Sequence, residues 1–315
     1  MQQDLGFIFP GQGSQKEGML AELAEQHAVI GQTFRQASDV LGYDLWALCQ
    51  EDPDKQLSLT HITQPAILTA SVALWRLWQD LGGAMPAIMA GHSLGEYSAL
   101  VCSGALQFTD AVALVRKRGE FMQSAVPVGL GAMAAIVGLE DAEVQAACAQ
   151  AAESETVDAV NFNSPGQVVI AGHKAAVERA IEACKASGAK RALPLPVSAP
   201  FHSSLMLPAA ERFAEELASV EISVPTVPVL QNYQLSLSTE DTAAIRDKLV
   251  KQIYSPVPWV ETIRYFSEQG IKTVIECGPS KVLCGLNKRI NPDMDAQASE
   301  NQAALEAALA AVTAA

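Results

Sequence analysis

Cysteine is sparse and unpatterned in this chain: Cys49, Cys102, Cys148, Cys184, Cys277 and Cys284 form no CxxC pair and no Cys/His cluster. That spacing argues against both a zinc site and a disulfide framework, and points to a reducing, cytoplasmic compartment. The six thiols are expected to act as small buried apolar side chains. Positive charge is also short, with 21 Lys and Arg against 35 Asp and Glu and a net charge of −14. Nucleic acid is therefore not an expected partner, because phosphate binding needs a basic surface. The charge-free stretch from Met122 to Leu139 is broken by Gln123, Ser124, Pro127 and three glycines, which suits no membrane span. Met1-Gln2-Gln3-Asp4 has no basic residue ahead of an apolar segment, so no secretory signal is expected. There is no Walker motif and no metal-ligand array. Gly11-Gln12-Gly13 lacks the third glycine of a dinucleotide loop, with Lys16 in its place.

What is present is a large apolar share: 49% of the 315 residues are hydrophobic and 18% charged, an ordered globular composition. At roughly 150 residues per domain, the length suits one large domain carrying a smaller one. Leu5 to Phe9 is a short apolar run ended by Pro10-Gly11, the pattern of a buried strand and a tight loop. Helical spacing follows to about Leu48 and again from Pro65 to Leu81, where Trp75 and Trp78 are expected in the core. Ala87 to Ala90 is a second buried strand leading into a helix from Leu94 to Cys102. Strands alternating with helices predict a mainly parallel sheet covered on both faces.

From Val126 to Val197 the order becomes strand (Ala132–Val137), helix (Asp141–Ala152), two strands (Val157–Asn161, Val168–Gly172), helix (Lys174–Ser187) and strand (Ala192–Val197). This is the ferredoxin-like order. The expected division is a small ferredoxin-like domain, 126–197, inserted in a discontinuous α/β domain of 1–125 and 198–315. The larger domain resumes with a helix from Ser204 to Val220 and a strand from Thr273 to Glu276, and the Ala-rich tail after Ala303 is expected to form a terminal helix.

Gly91-His92-Ser93-Leu94-Gly95 is a Gly-x-Ser-x-Gly pattern placed between a strand and a helix, the setting of a nucleophile elbow. Flanking glycines permit the strained turn, and amides at the helix start favour negative charge on an acyl oxygen. The bland alternative is a tight loop with Ser93 capping the helix. A serine nucleophile needs a base. His27, His61 and His173 have polar, surface-like neighbours, and His92 within the elbow must turn its ring from the serine's own side. His202 lies in the Pro-bent segment Ser198-Ala199-Pro200-Phe201-His202-Ser203, which suits a rigid imidazole, catalytic or structural. Arg118 follows Thr109-Asp110, a cap for a helix running to Met122. Its neighbours three and four away are Leu114, Val115, Phe121 and Met122, whereas Arg116 faces Glu120. A guanidinium on an apolar face calls for an internal carboxylate, a route to solvent or an anionic ligand.

Together, Pro10-Gly11-Gln12-Gly13-Ser14-Gln15, Gly91 to Tyr97, Arg118, Pro200-Phe201-His202, and Gln252-Ile253-Tyr254-Ser255-Pro256-Val257-x-Trp259 resemble the malonyl-CoA:acyl carrier protein transacylases of fatty acid synthesis. Asn161 to Gln167 and Glu276-Cys277-Gly278-Pro279 extend the resemblance almost end to end. It implies an α/β-hydrolase-like domain with a small ferredoxin-like one. It also implies Ser93 as acylated nucleophile, His202 as base and acid, and the Gln252 backbone carbonyl in place of a triad carboxylate. By the same resemblance the Gln12 and Leu94 amides form the oxyanion hole, Arg118 holds the malonyl carboxylate, and His92 sits beside the acyl group. The implied reaction is ping-pong between malonyl-CoA and the phosphopantetheine thiol of acyl carrier protein, by a monomer needing no cofactor. Phe201 stands where many free-standing bacterial members have serine; in related polyketide domains that phenylalanine goes with malonyl.

The nearest alternatives are related acyltransferases, a trans-acting polyketide loader or the acyl-transfer subunit of malonate decarboxylase, the latter disfavoured because it usually lacks the His and Glu that stand in this elbow. A serine esterase or thioesterase would share Ser93 and His202 without needing Arg118, and a scaffold that kept only the fold would take up no acyl group.

Overall fold

Apolar side chains at every second position of the first strand, β1 (Gln2–Phe9), send Leu5, Phe7 and Phe9 into one core and Ile8 into another. A strand buried on both faces belongs inside a parallel sheet. In the computed structural model, which describes residues 1–197, 199–238 and 241–313, β1 lies third in a six-stranded sheet. The remaining strands in chain order are β2 (Pro86–Gly91), β3 (Gly131–Val137), β4 (Val157–Ser164), β5 (Gln167–His173), β6 (Arg191–Pro194), β7 (Val229–Gln231), β8 (Ser236–Ser238), β9 (Thr273–Glu276) and β10 (Asp295–Ala298). The larger sheet runs β10-β9-β1-β2-β7-β8, parallel throughout except for the β7–β8 edge.

Strands β3 to β6 make a separate antiparallel sheet in the order β4-β5-β3-β6. The Asp141–Ala152 and Lys174–Ala186 helices pack on one face through Val144, Cys148, Val177 and Ile181, against Ala134, Ile136, Val168 and Ile170. Because strand side chains alternate, Met133, Val169 and Ala171 point the other way and join the core of the larger sheet. The second sheet thus leans its free face on the first.

The sequence placed the larger elements and shifted some ends. The second long helix spans Thr60–Asp80, starting five residues before Pro65; a proline there removes a single helical hydrogen bond. Trp75 and Trp78 are buried with ring centroids 5.1 and 5.2 Å from Phe7. The helix carrying Arg118 spans Phe108–Ser124 with Gln107 as its N-cap, and no side chain, Thr109 and Asp110 included, caps it. Ser204 to Met206 is a 3-10 turn before the Leu207–Ala218 helix, and β6 stops at Pro194. The short strands β7, β8 and β10, the last two at the sheet edges, carry no sequence signal. The tail helix spans Gln302–Thr313; Ala314 and Ala315, like Ser198 ahead of His202, lie outside the described residues. Five of the six cysteines are buried and Cys284 is half-buried. Among the described residues no helix is long and apolar enough to cross a membrane.

Candidate active site

At the end of β2 the chain turns through His92-Ser93-Leu94 into the Gly95–Cys102 helix. Two glycines make this turn possible. A Cβ on Gly91 would lie 1.8 Å from the Gly95 carbonyl carbon, and one on Gly95 would lie 1.9 Å from the Phe9 oxygen. Ser93 itself sits at φ 52°, a left-handed conformation that costs a non-glycine residue energy. Both its backbone polar groups are tied: its amide donates to Asn232 Oδ1 at 2.9 Å, and its carbonyl accepts from Gln252 Nε2 at 3.0 Å.

His202 is also left-handed, at φ 65°, and 4% exposed. Its Nε2 lies 2.7 Å from Ser93 Oγ and its Nδ1 lies 3.0 Å from the Gln252 backbone oxygen. A carbonyl only accepts, which assigns the ring proton to Nδ1 and leaves Nε2 to take the hydroxyl proton. Burial, reinforced by the Arg118 charge, pushes the imidazole down to about 3. The ring is therefore neutral near pH 7, as a base must be.

Arg118 is 2% exposed among Leu114, Val115, Phe121 and Met122, all buried. Its Nη2 donates to Ser93 Oγ at 3.1 Å and to Gln252 Oε1 at 3.0 Å, and its Nη1 donates to Gln64 Oε1 at 2.8 Å. Among the described residues no carboxylate forms an ion pair with it. Arg116, two residues before, does pair with Glu120 at 3.1 Å.

Ser93, His202, Arg118, Gln12, Leu94 and His92 line one cavity of about 130 Å³. Gln64, Met122 and Phe201 complete its wall on the larger-sheet side, and Met133, Asn161, Leu195 and Val197 close it from the chain of the second sheet. His92 directs Nε2 to Asn163 Oδ1 at 2.8 Å and packs near Trp259, and burial lowers its proton affinity. His27 instead meets Gln302, and the His173 ring accepts from the Thr156 amide, so neither joins the site. Among the described residues no cluster of His, Cys, Asp or Glu suits a metal ion.

Sequence reasoning assigned no task to Glu96, Asn232, Gln64 or Asn161. Glu96 did leave a signal, as the single charge in an otherwise apolar or small-residue helix. Asn232 follows a three-residue strand and left none.

A hydroxyl on a strand-to-helix turn, a neutral imidazole held by a carbonyl and a buried guanidinium without a carboxylate ion pair among the described residues share one cavity, an arrangement that can carry acyl transfer. The chain belongs to the acyl transferase domain family, which matches residues 6–299. It is 60% identical over 303 residues to the malonyl CoA-acyl carrier protein transacylase of Salmonella typhimurium, covering 96% of this chain and 98% of that one. An acyl carrier protein S-malonyltransferase from Vibrio cholerae superposes with a TM-score of 0.94 at 56% identity, over 96% of this chain and 99% of that one. A malonyl-transacylase solved in complex with a type II polyketide acyl-carrier protein superposes with a TM-score of 0.96 at 53% identity, over 98% and 99%.

Proposed function

We propose that this protein moves a malonyl group from malonyl-CoA to the phosphopantetheine thiol of acyl carrier protein for fatty acid synthesis, through an acyl-enzyme at Ser93. The observation that carries this reading is Arg118: a buried cation without a direct carboxylate partner among the described residues, 3.1 Å from the Ser93 hydroxyl. A buried charge without a direct counterion is costly, and an acyl group ending in a carboxylate supplies one in a two-pronged geometry.

In the first half-reaction Ser93 Oγ attacks the thioester carbonyl while its proton passes to His202 Nε2. The Gln12 and Leu94 amides receive the negative charge on the carbonyl oxygen. Collapse breaks the carbon–sulfur bond, and CoA leaves with the proton from His202. In the second half His202 takes the proton of the carrier thiol, the sulfur attacks the ester carbonyl, the acyl carbon–Oγ bond breaks, and His202 returns the proton to Ser93 Oγ. Each half-cycle starts and ends with neutral His202. Gln252 keeps the imidazole in the required tautomer through its backbone oxygen. His92 stands at the edge of the acyl site, and the apolar wall of Met122, Met133, Leu195, Val197 and Phe201 limits water at the ester.

The division into a small domain at 126–197 inserted between 1–125 and 198–315 is supported by the separate apolar cluster of β3 to β6 and their helices. The site then lies in the cleft between the two parts. A monomer is part of the same reading, and the unpaired thiols support a cytoplasmic setting. The test is the intact mass after incubation with malonyl-CoA or acetyl-CoA. A malonyl adduct at Ser93, strongly preferred over acetyl, is expected; no malonyl adduct, or an equal acetyl adduct, overturns the reading.

A further inference from the structure

One buried carboxylate touches several groups that hold the reacting residues, yet it has no part in the steps above. Glu96, second in the Gly95–Cys102 helix, is fully buried. Its Oε1 accepts from Gln231 Nε2 at 3.1 Å, and its Oε2 accepts from the Asn232 amide and from Gln252 Nε2, each at 2.8 Å. All three partners are N–H donors, so the pocket is built for the ionised carboxylate, which only accepts. A protonated acid would turn one of its oxygens into a donor among donors. Burial raises this carboxyl, and the three donors and Arg118 oppose that rise.

The role follows from what two of those partners hold in turn. Gln252 Nε2 also donates to the Ser93 carbonyl, its Oε1 accepts from Arg118 Nη2, and its backbone oxygen anchors His202. Asn232 Oδ1 accepts from the Ser93 amide, and its Nδ2 donates to the Gly91 carbonyl at 2.7 Å. Through two residues, one anion fixes both sides of the Ser93 turn, the residue on which the base is anchored, and the guanidinium. The Gln252 amide also stands between opposite charges, with Arg118 on its oxygen and Glu96 on its nitrogen. Its dipole is aligned by both, so the pair attract through it in a low-dielectric setting. The cation is thus compensated at one remove, without a direct carboxylate partner to compete with an incoming acid.

We infer that Glu96 is a positioning residue: it holds Gln252 and Asn232 so that Ser93 and His202 keep the mutual geometry that proton transfer and attack require. This rests on the acyl-transfer reading of Ser93 given above, and Glu96 itself never touches the acyl group. Glu96→Gln keeps the volume but sets an NH2 group against N–H donors. In the folded variant kcat for malonyl transfer should fall on the order of 10²-fold, the loss expected when a reacting group is misplaced by about 1 Å. KM for malonyl-CoA should stay within about threefold of the wild-type value, since direct substrate contacts remain. Glu96→Asp keeps the charge, draws it back by one methylene, and should fall between the two. A folded Glu96→Gln enzyme with kcat unchanged would overturn the inference, as would a loss carried by KM. If circular dichroism shows that Glu96→Gln does not fold, Glu96→Asp decides by the same split. Failure of the acyl-transfer reading shows separately, as a wild-type protein that takes no malonyl group on Ser93.

Discussion

Replacing Arg118 by alanine should change which acyl group the enzyme accepts more than how fast it works. Malonyl and acetyl thioesters differ by one carboxylate, so an interaction made only with that carboxylate is lost for malonyl alone. Two charge-assisted hydrogen bonds from a buried guanidinium contribute about 1.5–3 kcal/mol each, or about 3–6 kcal/mol together. That corresponds to a fall of ~10² to 10⁴ in kcat/KM for malonyl-CoA. A second loss is common to both donors: Gln64 Oε1 and Gln252 Oε1 each lose a partner at 2.8 and 3.0 Å, costing about 1–3 kcal/mol per unsatisfied group. The ratio of the two kcat/KM values, measured on the same preparation by acylation of Ser93, cancels that common part along with any partial unfolding. It should shift toward acetyl by ~10² or more. Arg118→Lys, which keeps the charge and loses the planar fork, should give a smaller shift. Equal losses for both donors would show that Arg118 serves packing and charge balance, and would refute the assignment of the malonyl carboxylate to it.

His202→Ala removes the proton acceptor 2.7 Å from Ser93 Oγ, and single-turnover acylation should slow by ~10² to 10⁴; an unchanged rate would point to another base. Because burial holds His202 down to about 3, acylation should persist as pH falls through 6.5 and fail only on approach to the lower value. The same residue makes the fold acid-sensitive. Between pH 6.5 and about 3 the unfolded imidazole binds a proton that the folded one does not, so stability falls as pH is lowered across that window. His202→Gln should flatten that part of the pH–stability curve, and identical slopes in both proteins would count against it. Gly95→Ala forces a Cβ to within 1.9 Å of the Phe9 oxygen, so the Ser93 turn must shift, with a lower melting temperature and loss of acylation together. Phe201→Ser opens the wall of the 130 Å³ cavity and should raise turnover of α-branched acyl-CoA relative to malonyl-CoA, read from the ratio of their kcat/KM values.

Several features were legible because the physics that sets them is local. The unbroken apolar run Leu5 to Phe9 reported a strand buried on both faces, since side chains two apart share a face and adjacent ones do not. The helical neighbours of Arg118 reported its burial, since residues three and four apart share a helix surface. Gly91 and Gly95 marked a turn whose close approaches no Cβ permits. The glutamine carbonyl behind His202 was reachable only through likeness to the family, because any residue offers a backbone oxygen and none announces it. What tertiary structure alone decided are the pairings between distant segments. Strands β7, β8 and β10 exist through their neighbours, at three or four residues each. Glu96 meets Asn232 and Gln252 across separations of 136 and 156 residues. A charge in an apolar helix shows in the sequence that some partner must exist. Which amides fill that need, and what else those amides hold, depends on the folded arrangement of the whole chain.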